Sequence, residues 1–168
     1  LTILNKVIPI LKELSPNRQF RFVLTIDDRD LASFSDVSLK HIQNIGRVSV
    51  EDCPQLYAET DALFLPTTLE CFSANFPEAM IMRRPIVTSN LPFATGICGS
   101  AALYFDPFNA RDIAIKLHEI MSDFGLREYL IREGLNVVNG FSDAQGRARD
   151  YLRICQEIIE IDRQKIKG

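Results

Sequence analysis

The 168-residue sequence predicts an α/β fold built on a doubly wound parallel sheet flanked by helices. Three observations point there. The strand-like runs are short and apolar throughout, as expected of strands buried on both faces. They are separated by more than ten residues, enough for a crossover and too many for a hairpin. The separating segments carry apolar residues at helical spacing.

Leu1, Leu4, Val7, Ile8, Leu11 and Leu14 recur on one helical face, and Ser15-Pro16-Asn17 stops that helix. Phe20 to Ile26 is apolar and reads as a buried strand, followed by the polar loop Asp27-Asp28-Arg29-Asp30. A short helix is predicted between Phe34 and Lys40, then a strand from Ile42 to Ile45 that ends at Gly46. Glu51 to Glu59 reads as a helix that turns Leu56 and Tyr57 toward the core. Ala62 to Leu65 is a further strand, closed by Pro66. A helix is expected from about Asn75 to Met82, ended by Arg83-Arg84-Pro85, with strands at Ile86–Thr88 and Leu103–Phe105. Three helical stretches finish the chain: Ala110 to Ser122, Leu126 to Val138 and Ala144 to Lys165. No repeat or linker interrupts this order, so residues 1–168 read as one Rossmann-like domain. In such sheets ligands bind outside the carboxyl ends of the strands. The loops after Ile26, Ile45, Leu65 and Thr88 are therefore the places to look for a site.

Composition narrows the function classes. Apolar residues make up 46% and charged residues 24%, the balance of a globular domain. A net charge of -3 argues against a nucleic-acid partner, which calls for a basic face. No apolar run reaches the length of a membrane span. Cys53, Cys71, Cys98 and Cys155 are scattered and fit reduced thiols, hence a cytoplasmic setting. With His41 and His118 they give no tetrahedral ligand spacing, so no metal is expected.

The loop after Leu65 is the most informative segment. Pro66-Thr67-Thr68-Leu69-Glu70-Cys71-Phe72-Ser73-Ala74-Asn75-Phe76-Pro77-Glu78 runs from a strand into the start of a helix. The free amides of a first helical turn attract anions, and Ser73 and Ala74 are small enough for a ligand to approach the backbone. Glu70 and Glu78 can both face the crevice. The same residues also fit a plainer account: Asn75 and Glu78 as a capping box, Glu70 as a solvated loop carboxylate, Phe72 and Phe76 as core.

An ordered set of motifs carries a resemblance. Asp61-Ala62-Leu63-Phe64-Leu65-Pro66-Thr67, Glu70-Cys71-Phe72-Ser73, Pro77-Glu78-Ala79-Met80, Arg84-Pro85-Ile86-Val87-Thr88-Ser89 and the run from Gly99 to Pro107 resemble the C-terminal domain of the family 4 glycosyltransferases. These are retaining enzymes of the two-domain GT-B fold, and Glu70 and Glu78 match their E-x7-E motif. Asn44-Ile45-Gly46-Arg47-Val48 and Leu56-Tyr57-Ala58 also fit the pattern. The chain departs from it at Cys71 and Ser73, where glycine is usual, and at Arg83, Arg84, Gly96 and Ser100.

The resemblance implies a retaining glycosyltransferase that moves a sugar from a nucleotide diphosphate sugar to a glycan, lipid or other small acceptor, as in polysaccharide biosynthesis. Glu70 would contact the transferred sugar as the catalytic carboxylate, and Glu78 the ribose hydroxyls. Amides near Phe72, Ser73 and Ala74, with Thr67, would meet sugar and phosphate oxygens. Gly46, Arg47 and Val48 would meet the base. Arg47 reads equally as a base-stacking residue and as a surface charge. The nucleotide sugar is substrate, and no cofactor or metal is implied. The family's phosphate-binding Arg and Lys, its first strand, its catalytic histidine and its acceptor domain would all precede Leu1, so the chain is expected to be a donor-binding half, inactive alone. Through the other half, peripheral membrane association is open, and the end of the last helix, Arg163 to Lys167, is expected to run toward that half. The alternative expectation, prompted by Cys71, Ser73 and Gly96, is a degenerate nucleotide-sugar-binding or scaffold domain without chemistry. A doubly wound regulatory domain with no sugar role is a third.

Overall fold

The computed structural model describes residues 2–166, so Leu1 and Lys167 lie outside the described residues. Two compact units follow one another, the first running to Val138 and the second beginning at Asn139.

The first unit alternates helix and strand: α1 (Leu4–Leu14), β1 (Phe22–Leu24), a 3-10 turn (Asp28–Ser33), α2 (Asp36–Leu39), β2 (Ile42–Asn44), α3 (Cys53–Ala58), β3 (Leu63–Leu65), α4 (Asn75–Ile81), β4 (Ile86–Ser89), α5 (Pro92–Cys98), β5 (Ala102–Phe105), α6 (Ala110–Ser122) and α7 (Phe124–Asn139). Every strand pair is parallel. β1 pairs with β2, placing Leu24 beside Asn44, while β4 lies between β3 and β5 with Thr88 beside Leu65 and Tyr104. β4 is buried along its whole length, although two of its four residues, Thr88 and Ser89, are polar. Thr88 escapes the penalty for burying a hydroxyl by donating it to the Leu65 carbonyl at 3.0 Å.

The α/β class with parallel strands flanked by helices is as the sequence predicts. One feature differs: the ladder is not continuous. Among the described residues β1 shares no ladder with β3, so there is a two-stranded and a three-stranded sheet. Side chains join them instead. The Phe22 and Phe64 rings lie 5.7 Å apart between centroids, and Phe64 and Phe105 5.6 Å. One buried cluster holds Leu4, Val7, Ile8 and Leu11 of α1, Leu24 of β1, Val87 of β4, Phe105 of β5, and Ile113, Ala114, Leu117 and Ile120 of α6. The α1 stripe, read from its 3.6-residue spacing, is what α6 covers. Polar bonds finish the contact: Ser15 at the end of α1 meets His118 Nδ1 at 2.7 Å, and Arg18 donates to the Met121 carbonyl. His118 thus has a structural partner.

A second cluster, with Phe76, Ala79 and Met80 of α4, Ile86 of β4, and Ala94 and Cys98 of α5, backs the start of α4. On α7, a Cβ at Gly134 would stand 3.1 Å from Met80 Cγ, so a hydrogen there lets the helix come close. Sequence reading places no element between Asn90 and Ala102, where α5 lies. Thr95 and Gly96 are weak helix formers, but Pro92 starts the helix and burial of Ala94 and Cys98 outweighs local propensity. The strands are shorter than the apolar runs that announce them: β1 keeps three residues of Phe20 to Ile26.

The second unit is α8 (Ala144–Ile166) with its lead-in. The Asp143 carboxylate accepts from the Gly146 amide at 2.6 Å, meeting a free amide of the first turn. Arg153 pairs with Glu157 at 3.0 Å and Asp150 at 3.8 Å. Tyr151, Leu152, Ile154, Ile158, Ile159 and Ile161 are exposed along it. Among the described residues no helix is long and apolar enough to cross a membrane.

Ile8 is fully buried at the α1–α6 contact. Ile8→Ala is expected to lower unfolding free energy by about 2–5 kcal/mol, read from the denaturant midpoint. A loss of less than about 0.5 kcal/mol, the range of surface substitutions, would mean that this contact does not hold the unit together.

Candidate functional site

A cleft of about 330 Å³ opens where strand ends meet the start of α4. Thr25, Arg47, Val48, Cys53, Leu56, Tyr57, Asn75 and Glu78 line it. Thr25 follows the last residue of β1, and Arg47 and Val48 lie just past β2. The cleft therefore occupies the position that parallel sheets reserve for ligands, outside the carboxyl ends of their strands.

One side is tied together by Asn44, the last residue of β2. Its amide donates to the Ile26 carbonyl and to Asp28 Oδ1, each at 2.9 Å, and its Oδ1 accepts from the Ile26 amide at 3.2 Å. That side chain fixes the loop leaving β1, and with it Asp27. Gly46 turns the chain after β2 with φ +71°, a left-handed value that costs a side-chain-bearing residue about 1–2 kcal/mol. A Cβ there would meet nothing within 4 Å, so backbone conformation and not space calls for glycine. After the turn, Arg47 Nε and Nη2 donate to the two oxygens of Asp27, each at 3.1 Å. The pair is too exposed to add more than about 1 kcal/mol of stability. Its effect is geometric: a two-point contact holds the guanidinium plane at the cleft edge.

The other side comes from α3 and α4. The Tyr57 hydroxyl donates to Glu78 Oε2 at 3.2 Å and lies 3.4 Å from the Asn75 carbonyl. Burial, then the Glu78 charge, pushes the Tyr57 phenol well above the usual tyrosine range. It keeps its proton near neutral pH and acts only as a donor toward Glu78. Pro54 near the start of α3 and burial of Phe76 at the start of α4 set the two helices that carry this pair.

The cleft brings together Arg47, Val48 and Glu78 of the residues singled out in the sequence, with Gly46 beside them. Thr67, Glu70, Phe72, Ser73 and Ala74 lie in the β3–α4 loop and do not line it. Thr67 and Glu70 are half-buried, Phe72 is 59% exposed and Ala74 is exposed. Ser73 is buried, and among the described residues its hydroxyl has no hydrogen-bond partner. The capping-box alternative does not hold. Ala74 is the N-cap of α4 and Asn75 its first residue, with no side chain capping the end. Phe76 is core, as the plainer account had it; Phe72 is not.

Residues 1–123 match the family described as Glycosyl transferases group 1. The chain belongs to that family.

Solved structures give this member of the family its wider setting. A glycosyltransferase from Rickettsia africae ESF-5 superposes with a TM-score of 0.78 at 21% identity, over 94% of this chain and 44% of that one. Sucrose-phosphate synthase from Thermosynechococcus elongatus gives 0.75 at 15% identity, over 94% and 42%. The α,α-trehalose 6-phosphate synthase from Burkholderia multivorans gives 0.72 at 11% identity, over 99% and 42%. These likenesses show the fold, that of GT-B glycosyltransferases, and the chain spans under half the length of each structure. No curated protein sequence matches the chain significantly.

Sequence reading missed Thr25, Cys53 and Asn75 as cleft residues, and took Leu56 and Tyr57 for core residues. Tyr57 does pack against the second cluster, but its hydroxyl reaches the cleft. The available signal was the chemistry of tyrosine itself, whose buried ring leaves a polar tip that needs a partner.

Asn44→Ala removes three hydrogen bonds from the β1 exit loop and leaves the Ile26 backbone groups unpaired. A stability loss of about 1–3 kcal/mol is expected, measured by denaturation. An unchanged midpoint would show that Asn44 does not hold the loop.

Proposed function

We propose that the chain is the donor-binding half of a retaining glycosyltransferase that moves a sugar from a nucleotide diphosphate sugar to a glycan, lipid or small-molecule acceptor. One observation carries the reading. Arg47 and Glu78, 31 residues apart in sequence, line a single cleft at strand ends in a member of a glycosyltransferase family. A nucleotide needs a flat partner for its base and an acceptor for its ribose hydroxyls. The anchored guanidinium of Arg47, with Val48, offers the first. The Glu78 carboxylate offers the second, because it can accept from neighbouring hydroxyls.

Glu70 is read as the catalytic carboxylate, contacting the transferred sugar from the β3–α4 loop and completing an E-x7-E pair with Glu78. The amides of Phe72, Ser73 and Ala74, with Thr67, would meet sugar and phosphate oxygens. The uncapped start of α4 favours a polar ligand there.

The cation needed by the departing diphosphate is not in the cleft lining. Arg47 is the one cation there among the described residues, and Asp27 already engages it. In this reading the missing charges, a further strand between β1 and β3, and the acceptor-binding domain belong to sequence ahead of α1. The lack of a ladder between β1 and β3 favours such a strand, since a doubly wound order places its first strand at the centre. The setting is taken as cytoplasmic, with membrane contact, if any, made by the other half.

The test is donor hydrolysis by the full-length protein against a panel of nucleotide sugars. Glu70→Gln is expected to lower kcat, and Glu78→Gln to raise KM, each about 10- to 100-fold, the range for losing a hydrogen bond to a charged group. A protein that turns over no donor would instead be a non-catalytic scaffold. Activity untouched by both substitutions would remove these residues from the mechanism.

A further inference from the structure

We infer that Tyr57 is a positioning residue for Glu78, and that through it the protein distinguishes ribonucleotides from their deoxy counterparts. The inference rests on the reading of Glu78 as the ribose-binding group. It goes beyond that reading by naming what orients the carboxylate.

Glu78 is exposed and sits in the first turn of α4, where a free side chain would sample several rotamers. Ordering it on binding would cost affinity. In the structure one neighbour holds it: the Tyr57 hydroxyl, 3.2 Å from Oε2. The phenol has a single proton to give. Its two acceptors are the charged Oε2 and, at 3.4 Å, the neutral Asn75 carbonyl, and a bond to the charged oxygen is the stronger.

The tyrosine is itself fixed. Its ring packs against the cluster around Phe76 and Ala79 at the root of α4. A rigid donor on α3 thus meets a flexible acceptor on α4. The bond to Oε2 restricts how the carboxylate can turn and leaves Oε1 for a ligand. Tyr57 and Glu78 both line the cleft, so the oriented carboxylate lies where a ribose would be read. A pair of adjacent hydroxyls is recognised by geometry, and a carboxylate restricted in its orientation discriminates better than one that turns freely.

The experiment is calorimetric titration of the protein with UDP, GDP and ADP, repeated for the tightest binder with its 2′-deoxy and 3′-deoxy forms. Three variants are compared with the parent: Tyr57→Phe, Glu78→Gln and the double variant. The parent is expected to prefer the ribonucleotide about tenfold or more. Tyr57→Phe keeps the ring and its packing, and is expected to reduce the preference several-fold, toward that of Glu78→Gln. In the Glu78→Gln background the Tyr57 substitution should change nothing further. A merely structural tyrosine would weaken ribo and deoxy forms alike and leave their ratio intact, which would overturn the inference while sparing the reading of Glu78. If the parent itself binds none of the nucleotides, or makes no distinction between the forms, the reading of Glu78 falls first.

Discussion

The packing of α1 on α6 is the contact on which the first unit depends. Without a ladder between β1 and β3, hydrogen bonding alone would leave two separate sheets. The buried stripe of Leu4, Val7, Ile8 and Leu11, facing Ile113, Ala114, Leu117 and Ile120, bridges them through a core that also takes in Leu24, Val87 and Phe105. Burial of such side chains contributes about 1.5–3 kcal/mol each, far more than the exposed ion pairs of the same unit. The consequence reaches the cleft, because Thr25 and Arg47 follow the two-stranded sheet and Asn75 and Glu78 follow β3. Their separation is set by a hydrophobic contact remote from them.

Within the cleft the polar groups work as two anchored pairs. Asp27 holds Arg47 and Tyr57 holds Glu78. Each pair combines a group that a ligand would meet with one that keeps it in place. Asn44 supports the first pair by fixing the loop that carries Asp27, and the core around Phe76 supports the second. Such preorganisation suits a binding site, since groups already ordered lose little entropy when a ligand arrives.

Much of this was legible in the sequence, and the limits have physical causes. Helices with strong periodicity, such as Ala110–Ser122, could be placed to the residue, because their apolar stripe and Asn109 cap agree. The α/β class followed from short apolar runs alternating with segments of helical periodicity. The α5 helix did not show, since its residues are poor helix formers stabilised by tertiary burial. Residue periodicity alone does not show the break between the sheets, because pairing partners of parallel strands are distant in sequence. For the site, Glu78 stood out by its place in a first helical turn, and Arg47 through the resemblance at Gly46-Arg47-Val48. Asp27 and Tyr57 did not, as each acts through a neighbour 20 or 21 residues away.

The central claim, that the cleft between Arg47 and Glu78 receives a nucleotide, is most directly tested by mapping amide chemical shifts during titration with a nucleoside diphosphate. The account predicts changes centred on Gly46 to Val48 and on Glu70 to Glu78. Changes centred elsewhere, on α6 or α8 for instance, would contradict it.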